Sequence, residues 1–338
     1  MRRLFLLFAC LTVWAGFWSL SADALDNPAD QAEKTQKTEK AERPRPKRGP
    51  TFFVHASEAS ATNQLARAEA LYREHRLRAA GKAYLALVYT WPDSDEAPKA
   101  QYGYARILEL RSKYAKAFDE YQYLIDNYTG YVNHEAIVGQ QFAIANVMMN
   151  GTARRGLFSG RPSSDQAIRM FEQIALNGPS AQHAAQAQFN VGVIRERKHD
   201  DDEAIRAYDL VETRFFDREL AVAAEYRKAG CLSRIAARYP NDEQSWESAR
   251  EALAGFIQSH PDDERAPSAR AELARATGYL AKLAYERARY YDRVLRKPTA
   301  AIVAYQDLVS RFPASEQAAP ARTRMEELRK GVPPDELP

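Results

Sequence analysis

Beyond residue 60 the hydrophobic positions recur with helical spacing. Ala83, Tyr84, Leu87 and Val88 fall at i, i+1, i+4 and i+5, the stripe of an amphipathic helix. No alternation of useful length predicts a strand. One phrase then repeats: an aromatic or leucine, a proline or a bulky equivalent eight residues on, and alanines five and eight residues beyond that. It is carried by Tyr84, Pro92, Ala97 and Ala100, by Phe171, Pro179, Ala184 and Ala187, by Leu253, Pro261, Ala266 and Ala269, and by Tyr305, Pro313, Ala318 and Ala321. Two units depart from it. Tyr208 is followed by Phe216, Ala221 and Ala224 without the proline, and Tyr121 by Thr129, His134 and Ile137.

Each part has a physical task. The aromatic faces the core from one helix, and the proline, which lacks an N–H donor, ends that helix. Alanines three apart share one face of the next helix, where their small size permits close approach. The unit is therefore a helix-turn-helix pair. Successive starts are 37, 50, 37, 45 and 52 residues apart, near or above the 34 of a tetratricopeptide repeat, so the surplus lengthens helices or forms insertions. The clearest insertion is 150–164, with Gly151, Gly156, Gly160 and Pro162, and 266–295 reads as one long helix.

The expected fold is all-α: a right-handed α-superhelix of about six tetratricopeptide-like pairs, near 62–92, 96–129, 134–179, 183–216, 219–261 and 266–313, closed by a capping helix near 316–330. Such arrays are curved and present a concave surface that suits a peptide or a partner's helix. Tyr102, Arg106, Gln141 and Arg195 are the candidate groove residues. Tyr102, Tyr104, Phe142, Phe189 and Tyr226 lie on first helices of pairs, most of them as core and a minority as groove lining.

The first residues read as an address. Arg2 and Arg3 precede an apolar run over 4–20, and Ala22-Asp23-Ala24 is the small-x-small pattern of signal-peptidase cleavage, so 1–24 is expected to be a secretory signal. Leu7-Phe8-Ala9-Cys10 also resembles a lipobox, in which Cys10 would be acylated, although its apolar stretch is short. Residues 25–57 are expected to form a disordered basic, proline-rich linker, and 331–338 a disordered tail. The linker reads as a solvated spacer or as a strip that meets anionic headgroups, a peripheral membrane association.

The chain has 338 residues, 48 of them basic and 45 acidic, for a net charge of +3; that near balance leaves no electrostatic footprint for nucleic acid. Cys231, the second of two cysteines, falls within a helical pattern as a small core residue. The six histidines lack metal-ligand spacing. In His199-Asp200-Asp201-Asp202-Glu203, the acids stand where a helix begins and meet its dipole, a better account than a metal site. No phosphate loop, G-x-S-x-G or H-E-x-x-H occurs. The expectation is a non-enzymatic protein without metal or cofactor.

The repeat phrase with Arg311-Phe312-Pro313-Ala314-Ser315, the tyrosines and alanines of 280–315, and Gly156-Leu157-Phe158-Ser159-Gly160 followed by Asp165, Ala167 and Phe171 resembles the outer-membrane assembly lipoproteins of the BamD type. The likeness spans roughly 60–328. It implies a periplasmic protein associated with the outer membrane, accessory to β-barrel assembly, whose partners are unfolded outer-membrane proteins or barrel-assembly components. The lipobox, the long linker and the sixth pair depart from the family. Two other readings stand beside it: a periplasmic scaffold coordinating wall synthesis with envelope constriction, and a wall-cleaving enzyme.

Overall fold

A computed structural model describes residues 54–151, 164–178 and 183–333, all within one compact unit, Arg48–Pro338. The expected signal, Cys10, most of the linker and most of the 150–164 insertion lie outside the described residues. Among the described residues the fold is the expected all-α solenoid. The six pairs are α1 (Ala61–Arg73) with α2 (Leu77–Thr90), α3 (Ala97–Leu110) with α4 (Tyr114–Asn127), α5 (His134–Met149) with α6 (Ser164–Leu176), α7 (Ala184–Arg197) with α8 (Asp201–Arg214), α9 (Arg218–Arg238) with α10 (Glu243–Ser259), and α11 (Ala266–Arg289) with α12 (Pro298–Arg311). The cap is α13, Ala318–Arg329. Each helix packs chiefly on its neighbours in sequence, and α9 also touches the first helices of the pairs on either side.

The repeat phrase is the core. Tyr84, Tyr121, Phe171, Tyr208, Leu253 and Tyr305 are all buried, as are the paired alanines Ala97 and Ala100, Ala184 and Ala187, Ala266 and Ala269, and Ala318 and Ala321. An aromatic on the first helix tilts against the one on the second: Tyr102 on Tyr121, Phe142 on Phe171, Phe189 on Tyr208, Tyr226 on Phe256 and Tyr285 on Tyr305, with ring centres 5.4–5.9 Å apart. Tilted rings at this spacing match the electron-poor edge of one to the face of the other.

Before the prolines the chain leaves the helix at Trp91, His260 and Phe312, with ψ of 63°, 61° and 56°, because Pro Cδ disfavours the helical region in the preceding residue. Where the proline is missing, Phe215 is buried and Phe216 is fully exposed. Phe216 is thus no bulky substitute for the proline. The turns inside four pairs share a left-handed residue nine positions before the aromatic: His75, Ser112, His199 and Arg296. The expected long helix divides. α11 ends at Arg289 and the chain continues as a π-helical turn, Tyr290–Val294.

Polar contacts set the register. Buried Gln64, Gln101 and Gln188 on first helices donate to the carbonyls of Ala83, Glu120 and Ala207, each 19 residues on, at 3.0–3.1 Å. Between the fourth and fifth pairs the joint is ionic. The fully buried Asp201 carboxylate accepts from Arg234 at 2.9 Å and Arg238 at 2.8 Å, while Glu196 accepts from the Tyr208 hydroxyl at 2.8 Å and Arg227 at 3.0 Å. The acids at 201–203 do occupy the first turn of α8, as expected, but Asp201 is also an ion-pair partner.

Two predictions follow from this packing. A Cβ at Gly192 would lie 2.4 Å from the Tyr208 ring, whereas one at Gly255 would meet nothing within 4 Å. Gly192→Ala is expected to lower stability by about 1–3 kcal/mol through overpacking, and Gly255→Ala to raise it by up to about 1 kcal/mol through helix propensity; thermal unfolding of both reads the opposite signs. The second concerns the cap. Asp292, nearly buried, accepts from Arg324 at 2.9 and 3.0 Å, and that pairing holds its carboxyl below the ordinary range. A depressed folded pKa contributes stability that is present above the unfolded value of about 3.9 and lost as pH falls through the folded one. Arg324→Met should therefore lower stability by roughly 3 kcal/mol at neutral pH and flatten the acid limb of a melting-temperature profile below about pH 4.

Candidate functional site

The first helices of the first three pairs enclose an open cleft of about 690 Å³. Its principal wall is one face of α3. Lys99, Tyr102, Gly103 and Arg106 are spaced at i, i+3, i+4 and i+7 and all line it, because residues three and four apart share a helix face. Opposite stand Glu69 and Tyr72 of α1, and Tyr131 and Asn133 at the entry to α5. The floor is the Tyr84 ring, which reaches the cleft because Gly103 has no side chain: a Cβ there would lie 2.7 Å from the ring.

The electrostatics are those of a cationic aromatic trough. Burial would weaken the Arg106 guanidinium's hold on its proton, but Tyr102, Tyr121 and Glu109 outweigh it and raise the pKa, so the charge is permanent. Burial, then Glu69 and Tyr72, push the Tyr84 phenol up to about 12, so it stays neutral and can donate. Glu69 is the one acid among the residues that line the cleft beside Lys99 and Arg106. Tyr72 and Tyr131 keep exposed rims.

Of the four residues expected to line a groove, Tyr102 and Arg106 do line this cleft. Gln141 does not. It is 0% exposed and donates to Gln122 Oε1 at 2.9 Å and to the Phe118 carbonyl at 3.4 Å, while its own oxygen accepts from Asn177 at 3.0 Å. This amide knot ties α4 and α5 to the chain just after α6, and its side chain is needed there because buried amides must be satisfied. Arg195 lies away from the cleft and pairs with Asp200 at 3.1 Å, bracing the turn between α7 and α8. Cys231 is buried, and burial pushes its thiol up to about 12, consistent with a core residue. No group of three His, Cys, Asp or Glu able to hold a metal ion is found among the described residues.

A second cleft, about 760 Å³, lies between α11 and the turn after α12. Its helical wall repeats the first: Arg275, Gly278, Tyr279 and Lys282, again at i, i+3, i+4 and i+7. The Tyr279 ring stacks on Trp246 at 4.4 Å and 9°. The sequence carries this signal, a tyrosine and a glycine side by side between two cations one helical face apart, but the periodicity of the core does not reveal it.

No protein-family model and no curated protein matches the chain. Among solved structures it is similar to a tetratricopeptide repeat protein from Parabacteroides merdae, with 11% identity over 80% of this chain and 100% of that one, at a TM-score of 0.30. It is also similar to a kinesin light chain protein with nearly identical TPR-like repeats from Podosopora anserina, with 14% identity over 60% and 96%, at 0.29. A third is the C-terminal part of a TPR repeat-containing protein from Cytophaga hutchinsonii, with 14% identity over 76% and 98%, at 0.27. The fold rests on the helix pairs themselves.

Gly278 has open space around its missing side chain. Gly278→Leu should hold or slightly raise stability, by up to about 1 kcal/mol, while obstructing the second cleft. Thermal unfolding should give a melting temperature equal to or slightly above that of the parent chain.

Proposed function

We propose that this chain is a non-catalytic protein-binding scaffold that holds extended, acid-bearing polypeptide segments across its first helices. The observation that carries this reading is the matched pair of helix faces, Lys99-Tyr102-Gly103-Arg106 and Arg275-Gly278-Tyr279-Lys282. In each, a glycine opens the backbone to an incoming chain and a tyrosine supplies a rigid contact surface at small entropic cost. The flanking cations select carboxylates. Both clefts are open troughs, which suits a polymer passing through more than a small molecule that must be enclosed.

The finer reading adds a location. Supported by the signal-like first residues and the resemblance of the repeat phrase, the scaffold works in the periplasm at the outer membrane, accessory to β-barrel assembly, without cofactor or metal.

Titration of a fluorescent, unstructured peptide rich in aromatics and acids tests the first claim. Arg106→Gln is expected to weaken binding on the order of tenfold, or about 1.4 kcal/mol, and to reduce its salt dependence, with helicity unchanged. Binding insensitive to both Arg106→Gln and Tyr102→Ala would remove the N-terminal cleft from the mechanism. For the finer claim, affinity capture from native envelopes should recover a barrel-assembly component; recovery of none would leave the scaffold without that assignment.

A further inference from the structure

The turn inside the sixth pair differs from those of the first, fourth and fifth. In the first, fourth and fifth pairs the equivalent turns carry acids beside their bases: Glu74, Asp200 and Asp242. Here the π-helical turn and its sequel read Arg289-Tyr290-Tyr291-Asp292-Arg293-Val294-Leu295-Arg296-Lys297. Residues 293–298 are all exposed, with Val294 63% and Leu295 41% accessible, and Tyr290 52%. The one acid, Asp292, points inward and is neutralised by the bidentate Arg324. Arg289, Arg296 and Lys297 have no carboxylate within ion-pairing distance among the described residues, and Arg293 shares only the buried Asp292.

From this juxtaposition we infer that the turn at 289–297 is a docking point for an anionic lipid bilayer, with Tyr290, Val294 and Leu295 entering the interface and Arg289, Arg293, Arg296 and Lys297 meeting the phosphates. Exposed aliphatics and an aromatic flanked by cations are the composition by which a surface segment binds a charged membrane: apolar area enters the headgroup boundary while the cations meet the surface potential. Long cationic side chains bridge the two layers by burying their stems. The turn is exposed along 293–298, so its apolar and cationic side chains can meet a surface together.

The second pair's turn has the same chemistry at the equivalent position, with exposed Leu110 beside Arg111 and Lys113. Lys113 is held below its ordinary value by Arg111, then by burial and by Lys116 and Arg78, so positive charge is crowded along that edge too.

Hydrogen–deuterium exchange on the full chain provides the test, because it reads the turn locally whatever the N-terminal residues do. Equimolar phosphatidylglycerol–phosphatidylcholine vesicles should slow exchange over 289–297, and pure phosphatidylcholine vesicles should not. Arg296→Gly with Lys297→Ser removes two cations and suits the left-handed φ of 50° at 296. It should raise the lipid concentration for half-maximal protection on the order of fivefold per cation, with circular dichroism unchanged. Val294→Ser with Leu295→Ser should weaken protection independently of salt. Unchanged exchange with the anionic vesicles would overturn the inference. So would equal protection on neutral lipid, or protection by polyglutamate where vesicles give none, which would mark an acidic protein partner instead.

Discussion

The array depends on one contact repeated along its second to sixth pairs: a large buried ring on the second helix, wedged against an aromatic on the first. Tyr121 against Tyr102 and Tyr208 against Phe189 show its geometry. Each ring removes a large apolar area from water and also fixes the distance between helices. The small residues around it are consequences. Gly192 and Gly103 exist where the Tyr208 and Tyr84 rings press on a neighbouring backbone, and the alanine pairs let the next first helix lie close enough to cover the ring's other side. Because every pair needs its successor to complete its core, the end of the array requires α13, which contributes Ala318 and Ala321 together with the half-buried Met325 and Leu328.

Hydrophobic contact of this kind is non-directional, so other groups must fix the register. The glutamines at 64, 101 and 188 do so within pairs, each reaching a second-helix carbonyl at the same offset. Between pairs the knot of Gln122, Gln141 and Asn177 and the ionic joint around Asp201 and Glu196 take over. The Tyr208 hydroxyl illustrates the economy of this arrangement: its ring is core, while its oxygen donates to Glu196, and burial followed by that carboxylate raises its pKa so that it remains a donor.

The first helices that hold the core rings also wall both clefts: Tyr102 packs on Tyr121 and borders the N-terminal cleft as well. α3 and α11 present a tyrosine, a glycine and two cations outward while their alanines face the core. The turns form a third kind of surface whose charge is decided pair by pair: acids stand beside bases in the first, fourth and fifth pairs, and the second and sixth are uncompensated among the described residues.

The sequence by itself determined the helix pairs and most of the core anchors, because a side chain's period and the proline's missing donor are local properties. Cys231 and the acids opening α8 were legible for the same reason. Which face of a first helix looks where was not. A first helix must serve its own partner, the preceding pair and the groove, and all three demands draw on polar residues. Tyr102 and Arg106 came to the groove whereas Gln141, equally polar on paper, was drawn into an amide knot whose other members lie 19 and 36 residues away. Arg195 was claimed by Asp200, and Phe216 was left outside because Phe215 took the core position. Only the tertiary structure settles such choices, since a buried amide or charge goes wherever its partners are assembled, and those partners come from other helices.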